Sequence, residues 1–518
     1  MTSSKLNITL GIDFGTSLTK ICIRADDTER SEVVSFGLPD IDYAFLVSKI
    51  GIRGDGTLLA GLTTSEWENQ QSTIQTEVNF IKMRLANIDL PQESILFEFE
   101  RLPQYTENID LNDPQHIENF CIYFLAKVIA RAKEWFRDQY PDRIKNKELD
   151  WSVNIGVPVQ YYDSPSLLCF QNVLRHALLL SDNLPIPDLM TFDELAITII
   201  SLHDGINSNM PCFAIPEVAA GAFFYTNNRV ARPGDYLYVD IGSGTVEFCS
   251  FSFRRENGSP QVSAIKAFTP PIGVDSLIDG VLRESNASSS DEVRNIVLSD
   301  NLIDKISDLI GRIGISPQTG ESIATIAKRE YLSIMSGEDI NFVPSLRISQ
   351  EAIARVKANR TAREQVLLEI MLWQRAIHLL TSIVPAQTIF LGGGGRESEI
   401  YRYSIEATYS AFQWYRAGGS PINIQDIIMQ ESSDFTMNGI PTNYSHRFAI
   451  AFGLSIPEYE MPEFQLPSSS SSQTSSLRIQ PSIQKIIQAI NSPRQSATLS
   501  LERDWRESPN IGIGRISN

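Results

Sequence analysis

The sequence predicts an α/β fold of two related lobes on three observations: a β-hairpin with an acidic tip that recurs far along the chain, β-rich segments alternating with helical ones, and a length of 518 residues. A chain of that length exceeds what one hydrophobic core usually organises. In the first hairpin, Leu6 to Ile12 and Leu18 to Ile23 are short β-rich runs separated by the small-residue stretch DFGTS at 13–17. The second lies at Tyr236 to Phe253, where YLYVD is followed by IGSG and then TVEFCSFSF. The copies align Asp13 with Asp240, Gly15 with Gly242, Thr16 with Ser243 and Lys20 with Glu247. Their separation is too large for a solenoid and indicates duplicated lobes.

Between the hairpins, His116 to Gln139 and Ser164 to Leu180 read as helices and Trp151 to Val159 as a β-rich run interrupted at Pro158. After the second, Asp291 to Gly311, Glu321 to Met335 and Ser349 to Val384 carry helical spacing, the last with Ser349 as N-cap and Glu351 in its first turn. Thr388 to Leu391 reads as a strand entering four glycines at 392–395, and Arg447 to Leu454 as an apolar helix ending near Pro457. The expected organisation is lobe I at 1–235 with an inserted subdomain, lobe II at 236–457 with a helical insertion at about 286–385, and a Ser-rich disordered tail at 458–518. Within that tail, Ile483 to Ile490 fits either one or two amphipathic turns or scattered apolar residues in unstructured chain.

Composition narrows the function. Apolar residues make up 42% and charged residues 20%, an ordinary globular balance, and the net charge of −18 disfavours sequence-independent binding to nucleic acid or an anionic membrane. The five cysteines (Cys22, Cys121, Cys169, Cys212 and Cys249) form no CxxC pair and read as reduced core residues. The five histidines form no ligand-spaced pair, and no GxSxG is present, so neither a zinc enzyme nor a Ser-His hydrolase has support. The first residues lack a basic segment leading into an apolar core, and no apolar run approaches the roughly 18 residues of a membrane span. A cytoplasmic location is expected.

The stretch Gly11 to Ser17 delivers Asp13 from an apolar strand into a tight turn. Gly15, Thr16 and Ser17 are small enough to let backbone N–H groups approach an anion such as phosphate. An Asp at the strand end suits Mg²⁺ reached through water, because that ion keeps most of its hydration. The second turn, Asp240 to Thr245, repeats the pattern with Gly242, Ser243, Gly244 and Thr245, so the two could clamp one phosphate chain. Lys20 would then offer positive charge to the terminal phosphate and Glu247 an acceptor for metal-bound water. The same two residues also fit an inter-lobe ion pair or two solvated strand positions.

These segments resemble the phosphate-binding hairpins of the actin, DnaK-type heat-shock chaperone and sugar kinase superfamily. Three more segments resemble that family in the expected order. Ile215 to Ala222 (IPEVAAGA) is similar to the element carrying a glutamate near the attacking water, Thr388 to Gly395 to the strand and glycine turn that holds adenosine, and Arg447 to Ser455 to the final core helix. The resemblance spans roughly 6–456 and implies a two-lobed actin-like ATPase fold of duplicated ribonuclease H-like domains. It is nearer to the chaperones, through the glutamate element, the turn Ile272 to Asp275 and the stretch Asn79 to Leu85.

The resemblance implies Mg²⁺-dependent binding of ATP and ADP, and ATP hydrolysis coupled to lobe closure. Glu217 would orient water and Lys82 would reach the terminal phosphate, while Asp13 and Asp240 act with them and share the metal's water shell with Glu247. Gly15, Thr16, Ser17, Lys20, Gly242, Ser243, Gly244 and Thr245 would hold phosphates, Gly392, Gly393 and Gly394 the adenosine, and Lys328 and Arg329 the adenine ring. Lys82 also reads as a surface lysine, and Lys328 and Arg329 as solvated helix charge. The sequence departs from the chaperones at Glu247, usually Asp, and at Lys20, which follows the actin and sugar kinase pattern. No counterpart of the chaperones' peptide-binding β-sandwich follows Ser455. A protein client or co-chaperone would be the partner reading closure; a small-molecule kinase and a filament-forming or non-catalytic module are the alternatives.

Overall fold

The computed structural model describes residues 4–88, 109–182, 190–226, 231–257, 259–313, 360–382, 388–412, 423–426 and 434–470. Lys328, Arg329, the helix candidate Glu321 to Met335, the cap Ser349 and the stretch Ile483 to Ile490 lie outside these described residues.

The architecture is mixed α/β. In chain order the early strands are β1 (Ser4–Asp13), β2 (Leu18–Ala25), β3 (Arg30–Val33), β4 (Leu46–Val47), β5 (Ile50–Arg53), β6 (Leu58–Leu59), β7 (Ile74–Val78), β8 (Lys147–Val157) and β9 (Cys212–Pro216). The later ones are β10 (Gly234–Ile241), β11 (Val246–Glu256), β12 (Ser259–Phe268), β13 (Thr388–Gly392), β14 (Asn423–Asp426), β15 (Phe435–Thr436) and β16 (Glu463–Gln465). One sheet runs β15-β3-β2-β1-β8-β9 with β4 on β2, a second runs β14-β13-β10-β11-β12-β16, and a small third is β6-β5-β7.

Each hairpin feeds the centre of its own sheet. β1 pairs antiparallel with β2 and parallel with β8, while β10 pairs antiparallel with β11 and parallel with β13. Central strands are covered on both faces: in β1, Leu6, Ile8, Leu10 and Ile12 are buried on one face and Thr9 and Gly11 on the other, and in β10 Leu237, Val239 and Ile241 alternate with buried Tyr236 and Tyr238. The two hairpins also share a cross-strand register: Asp13 lies opposite Lys20, and Asp240 opposite Glu247. The equivalence read from sequence is therefore an equivalence of backbone pairing.

The predicted helices form with shifted ends. Pro114–Gln139 starts two residues early because Asp113 caps it, accepting from the N–H of Gln115. The second candidate, Ser164 to Leu180, forms shifted two residues later as Ser166–Asp182, and β8 ends at Val157, just before Pro158. The continuous helix expected at Asp291 to Gly311 is instead two, Ser290–Val297 and Leu302–Ile313, separated where Asn301 adopts a left-handed backbone with φ of 60°. The helix expected from Ser349 is described from Ala362 to Ser382, and Thr361 with Glu364 builds a capping box at its start. The tail boundary also moves. Beyond Pro457, β16 pairs with β12, Phe464 packs on the core and Ser468 hydrogen-bonds Asp163 at 2.5 Å. Composition alone hid this, since one apolar residue in a polar strand is enough to dock it on a sheet edge.

Two apolar clusters each centre on one large sheet, and a third draws on both, joining Cys22, Val33 and Phe45 to Tyr238, Phe251, Phe390 and Phe452. The helices Glu217–Thr226 and Ala449–Ser455 cross beside it at Gly453, where an added Cβ would lie 2.1 Å from the Ala220 carbonyl oxygen. Cys22, Cys121 and Cys249 are buried thiols outside any disulfide. Among the described residues no helix is long and apolar enough to cross a membrane.

Candidate functional site

Asp13 and Asp240 each sit at the carboxyl end of a central strand, the place where open α/β sheets present ligand-binding residues. The turns that follow touch one another. Ser17 Oγ lies 2.5 Å from Ser243 Oγ, and a Cβ at Gly244 would come within 2.6 Å of both Thr16 Cγ2 and Met83 Sδ. Only glycine lets the second turn approach the first this closely.

Inside the turns, Gly15 N–H donates to Asp13 O at 2.9 Å and Gly242 N–H to Thr245 O at 2.9 Å. Those two amides are thus spent on turn geometry. The amides of Thr16, Ser17, Ser243, Gly244 and Thr245 make no backbone hydrogen bond among the described residues and are the donors the turns have to offer.

Behind the turns lies a cluster of six charged side chains. Lys20 pairs with Asp13 at 2.8 Å within its own hairpin, and Lys82 pairs with Glu217. Lys82 is 7% exposed, so it is no surface lysine; Glu217, at the start of the Glu217–Thr226 helix, is 4% exposed. Lys82 reaches the cluster from a short helix, Ile81–Ala86, that begins after Phe80 in a left-handed conformation, φ of 58°. A non-glycine residue held there stores local strain of the kind that clusters at functional sites.

Glu247 is 3% exposed, so it is not a solvated strand position, and among the described residues it forms no ion pair with Lys20, which pairs with Asp13 instead. One of its oxygens accepts from Val159 N–H at 2.7 Å; the other, Oε2, has no hydrogen-bond partner among the described residues. Asp240 makes no side-chain hydrogen bond or ion pair among the described residues and is only partly covered.

The electrostatics share one cause. Four carboxylates (Asp13, Glu217, Asp240, Glu247) face two ammonium groups (Lys20, Lys82), a formal −4 against +2 and an excess of −2. Burial, then the charges of Glu217 and Asp13, push the Asp240 carboxyl up to about 7. Burial and Glu217 hold Glu247 well above the usual carboxylate range. Burial raises Glu217 against the opposing charge of Lys82. Burial alone would lower Lys82, but Glu217 and Asp13 outweigh it and hold the ammonium above its ordinary value. Every shift retains protons, as a site short of positive charge should.

No three His, Cys, Asp or Glu side chains among the described residues gather closely enough to ligate a metal directly. The excess charge, the orphaned Glu247 oxygen and the unpartnered Asp240 fit a hydrated divalent cation, which needs carboxylates at one water's remove.

The glycine turn closes the far side. Gly392 ends β13 opposite Asp240, Gly393 packs on the Ile241 carbonyl, and Gly394 lies beside the Arg447 guanidinium, itself 4.4 Å above the Phe45 ring. A cleft of about 250 Å³ opens next to the paired turns, lined by Thr16, Ser17, Lys49, Phe80, Asp275 and Arg294. Asp275 and Arg294 were not singled out from sequence as site residues, although Asp275 follows a conspicuous Ile-Gly-Val turn. No protein-family model matches this sequence, and no curated protein matches it.

Proposed function

We propose that this protein binds ATP with Mg²⁺ between two actin-like lobes and hydrolyses it, the lobes closing on the nucleotide. The observation carrying this reading is the pair of hairpins with one cross-strand register whose turns meet over a buried cluster of four carboxyl groups and two ammonium groups, a formal excess of −2. A triphosphate with its magnesium complements both halves: the turn amides and the Ser17 and Ser243 hydroxyls donate to phosphate oxygens, and the cluster receives positive charge. Magnesium would supply positive charge that offsets the repulsion among the phosphates.

Asp13, Asp240 and Glu247 would hold its water shell. Glu217 would accept a hydrogen bond from water and aim it, with Lys82 fixing the carboxylate. The Gly392 to Gly394 turn would lie along adenosine. Contacts made only when the phosphates are present would bias the lobes toward closure, which a protein partner could read.

The test is a calorimetric titration with ATP and ADP, with and without magnesium, alongside phosphate release by Glu217→Gln. Magnesium-dependent affinity with turnover reduced at least tenfold in the variant is expected. A folded sample with no affinity for either nucleotide would overturn the reading, and unchanged turnover would remove Glu217 from its role.

A further inference from the structure

We infer that Asp275 is an internal stand-in for phosphate, a carboxylate that holds the two turns together and must be displaced before an anion can enter. The inference rests on the nucleotide-binding reading and adds a gate to it. Asp275 Oδ2 accepts hydrogen bonds from Ser243 Oγ and, at 3.2 Å, from Ser17 Oγ, so one carboxylate oxygen bridges residues of both turns. Its other oxygen, Oδ1, accepts from Arg294 at 2.5 Å.

The backbone keeps it there. Gly273 N–H donates to Gly244 O at 3.1 Å, Val274 N–H to Gly242 O at 3.1 Å and Asp275 N–H to Ser243 O at 2.8 Å, strapping the start of the Val274–Glu284 helix onto the second turn. The Ser17 and Ser243 hydroxyls are the side-chain donors at the point where the two turns meet, and an anion cannot take them while the carboxylate does. A phosphate oxygen and a carboxylate oxygen are equivalent acceptors of like charge, so they exclude one another.

Arg294 gives the exchange a second consequence. It lies on the Ser290–Val297 helix and lines the same cleft as Asp275, Thr16 and Ser17. When Asp275 swings away from the hydroxyls, its ion pair with Arg294 must move or break. Anion arrival is thereby transmitted to that helix, the sort of discrete rearrangement that carries a switch.

The experiment titrates tripolyphosphate, ATP with magnesium, and adenosine into wild type, Asp275→Asn and Asp279→Asn. Asp279 lines the same cleft but makes no hydrogen bond to either serine among the described residues, so its variant measures the effect of simply removing a nearby negative charge. Displacement predicts at least a tenfold gain in tripolyphosphate and ATP affinity for Asp275→Asn, less than threefold for Asp279→Asn, and no change for adenosine. Arg294→Gln, at a half-exposed surface position, should shift affinity the opposite way by freeing the full carboxylate charge to repel phosphate. Equal gains in the two Asp variants, or a loss in Asp275→Asn, would overturn the gate while wild-type binding leaves the nucleotide reading standing. Failure of wild type and all variants to bind any phosphate compound would overturn both.

Discussion

Lys82 and Glu217, 135 positions apart in the chain, form a buried ion pair at the centre of a cluster that carries more negative than positive charge. Removing either partner therefore has unequal consequences. Lys82→Met strands Glu217 among three other carboxylates and should destabilise the fold by about 3 kcal/mol, the usual cost of leaving a buried charge unpaired. Glu217→Gln removes negative charge where it is in excess and should cost less than about 1 kcal/mol. Urea unfolding midpoints of the two variants measure the difference; equal losses would show that the cluster is not short of positive charge.

Asp240 gives a stability signature. Its carboxyl is raised from an ordinary 3.8 to about 7, so the folded state keeps a proton that the unfolded chain has released. That contribution to stability is fully present below about pH 4 and is lost as pH rises through about 7. Asp240→Asn lacks the penalty: its advantage over wild type should grow across this window and level off above it, reaching on the order of 4 kcal/mol. Thermal melts from pH 5 to 8 test the sign. A stabilised variant that has lost magnesium-dependent nucleotide affinity would mark Asp240 as kept for function at the expense of stability.

The same raised groups predict proton release on cation binding. A divalent ion favours the ionised carboxylates, so magnesium with nucleotide should expel protons near pH 7, since the Asp240 carboxyl is raised to about 7. Calorimetry in two buffers of different ionisation enthalpy reads the number released. It should fall in Asp240→Asn; identical values in wild type and variant would place the proton elsewhere.

Gly453 is predicted to be intolerant of any side chain. A Cβ would meet the Ala220 carbonyl at 2.1 Å, a backbone atom that cannot rotate away, so the two crossing helices must part. Gly453→Ala should cost about 3 kcal/mol or more, read from denaturant midpoints, whereas Gly56→Ala, whose Cβ would meet nothing within 4 Å, should cost only the strain of its left-handed backbone.

The hairpins were legible in sequence because their signal is local: an apolar run, an Asp, then small residues, twice in the same order. The Pro114–Gln139 helix was legible for the same reason, through its periodicity. Boundaries set by single side chains were less so. Asn301 split one expected helix and Thr361 started another, and each acts through one hydrogen bond or one backbone angle that periodicity averages away. The strand Glu463–Gln465 escaped notice because its stability comes from the sheet edge it joins.

The sequence by itself determined the two acid-tipped hairpins and their correspondence, Asp13 with Asp240 and Lys20 with Glu247, because that signal is a local pattern repeated in the same order. The cross-strand register that sets Asp13 opposite Lys20 and Asp240 opposite Glu247 was fixed by the folded sheets. Only the tertiary structure decided that Lys82 meets Glu217, that Ser17 meets Ser243 and that Asp275 lies over both hydroxyls. Those contacts join elements far apart in the chain, and their charge balance exists only once packing has removed the water that would otherwise screen it.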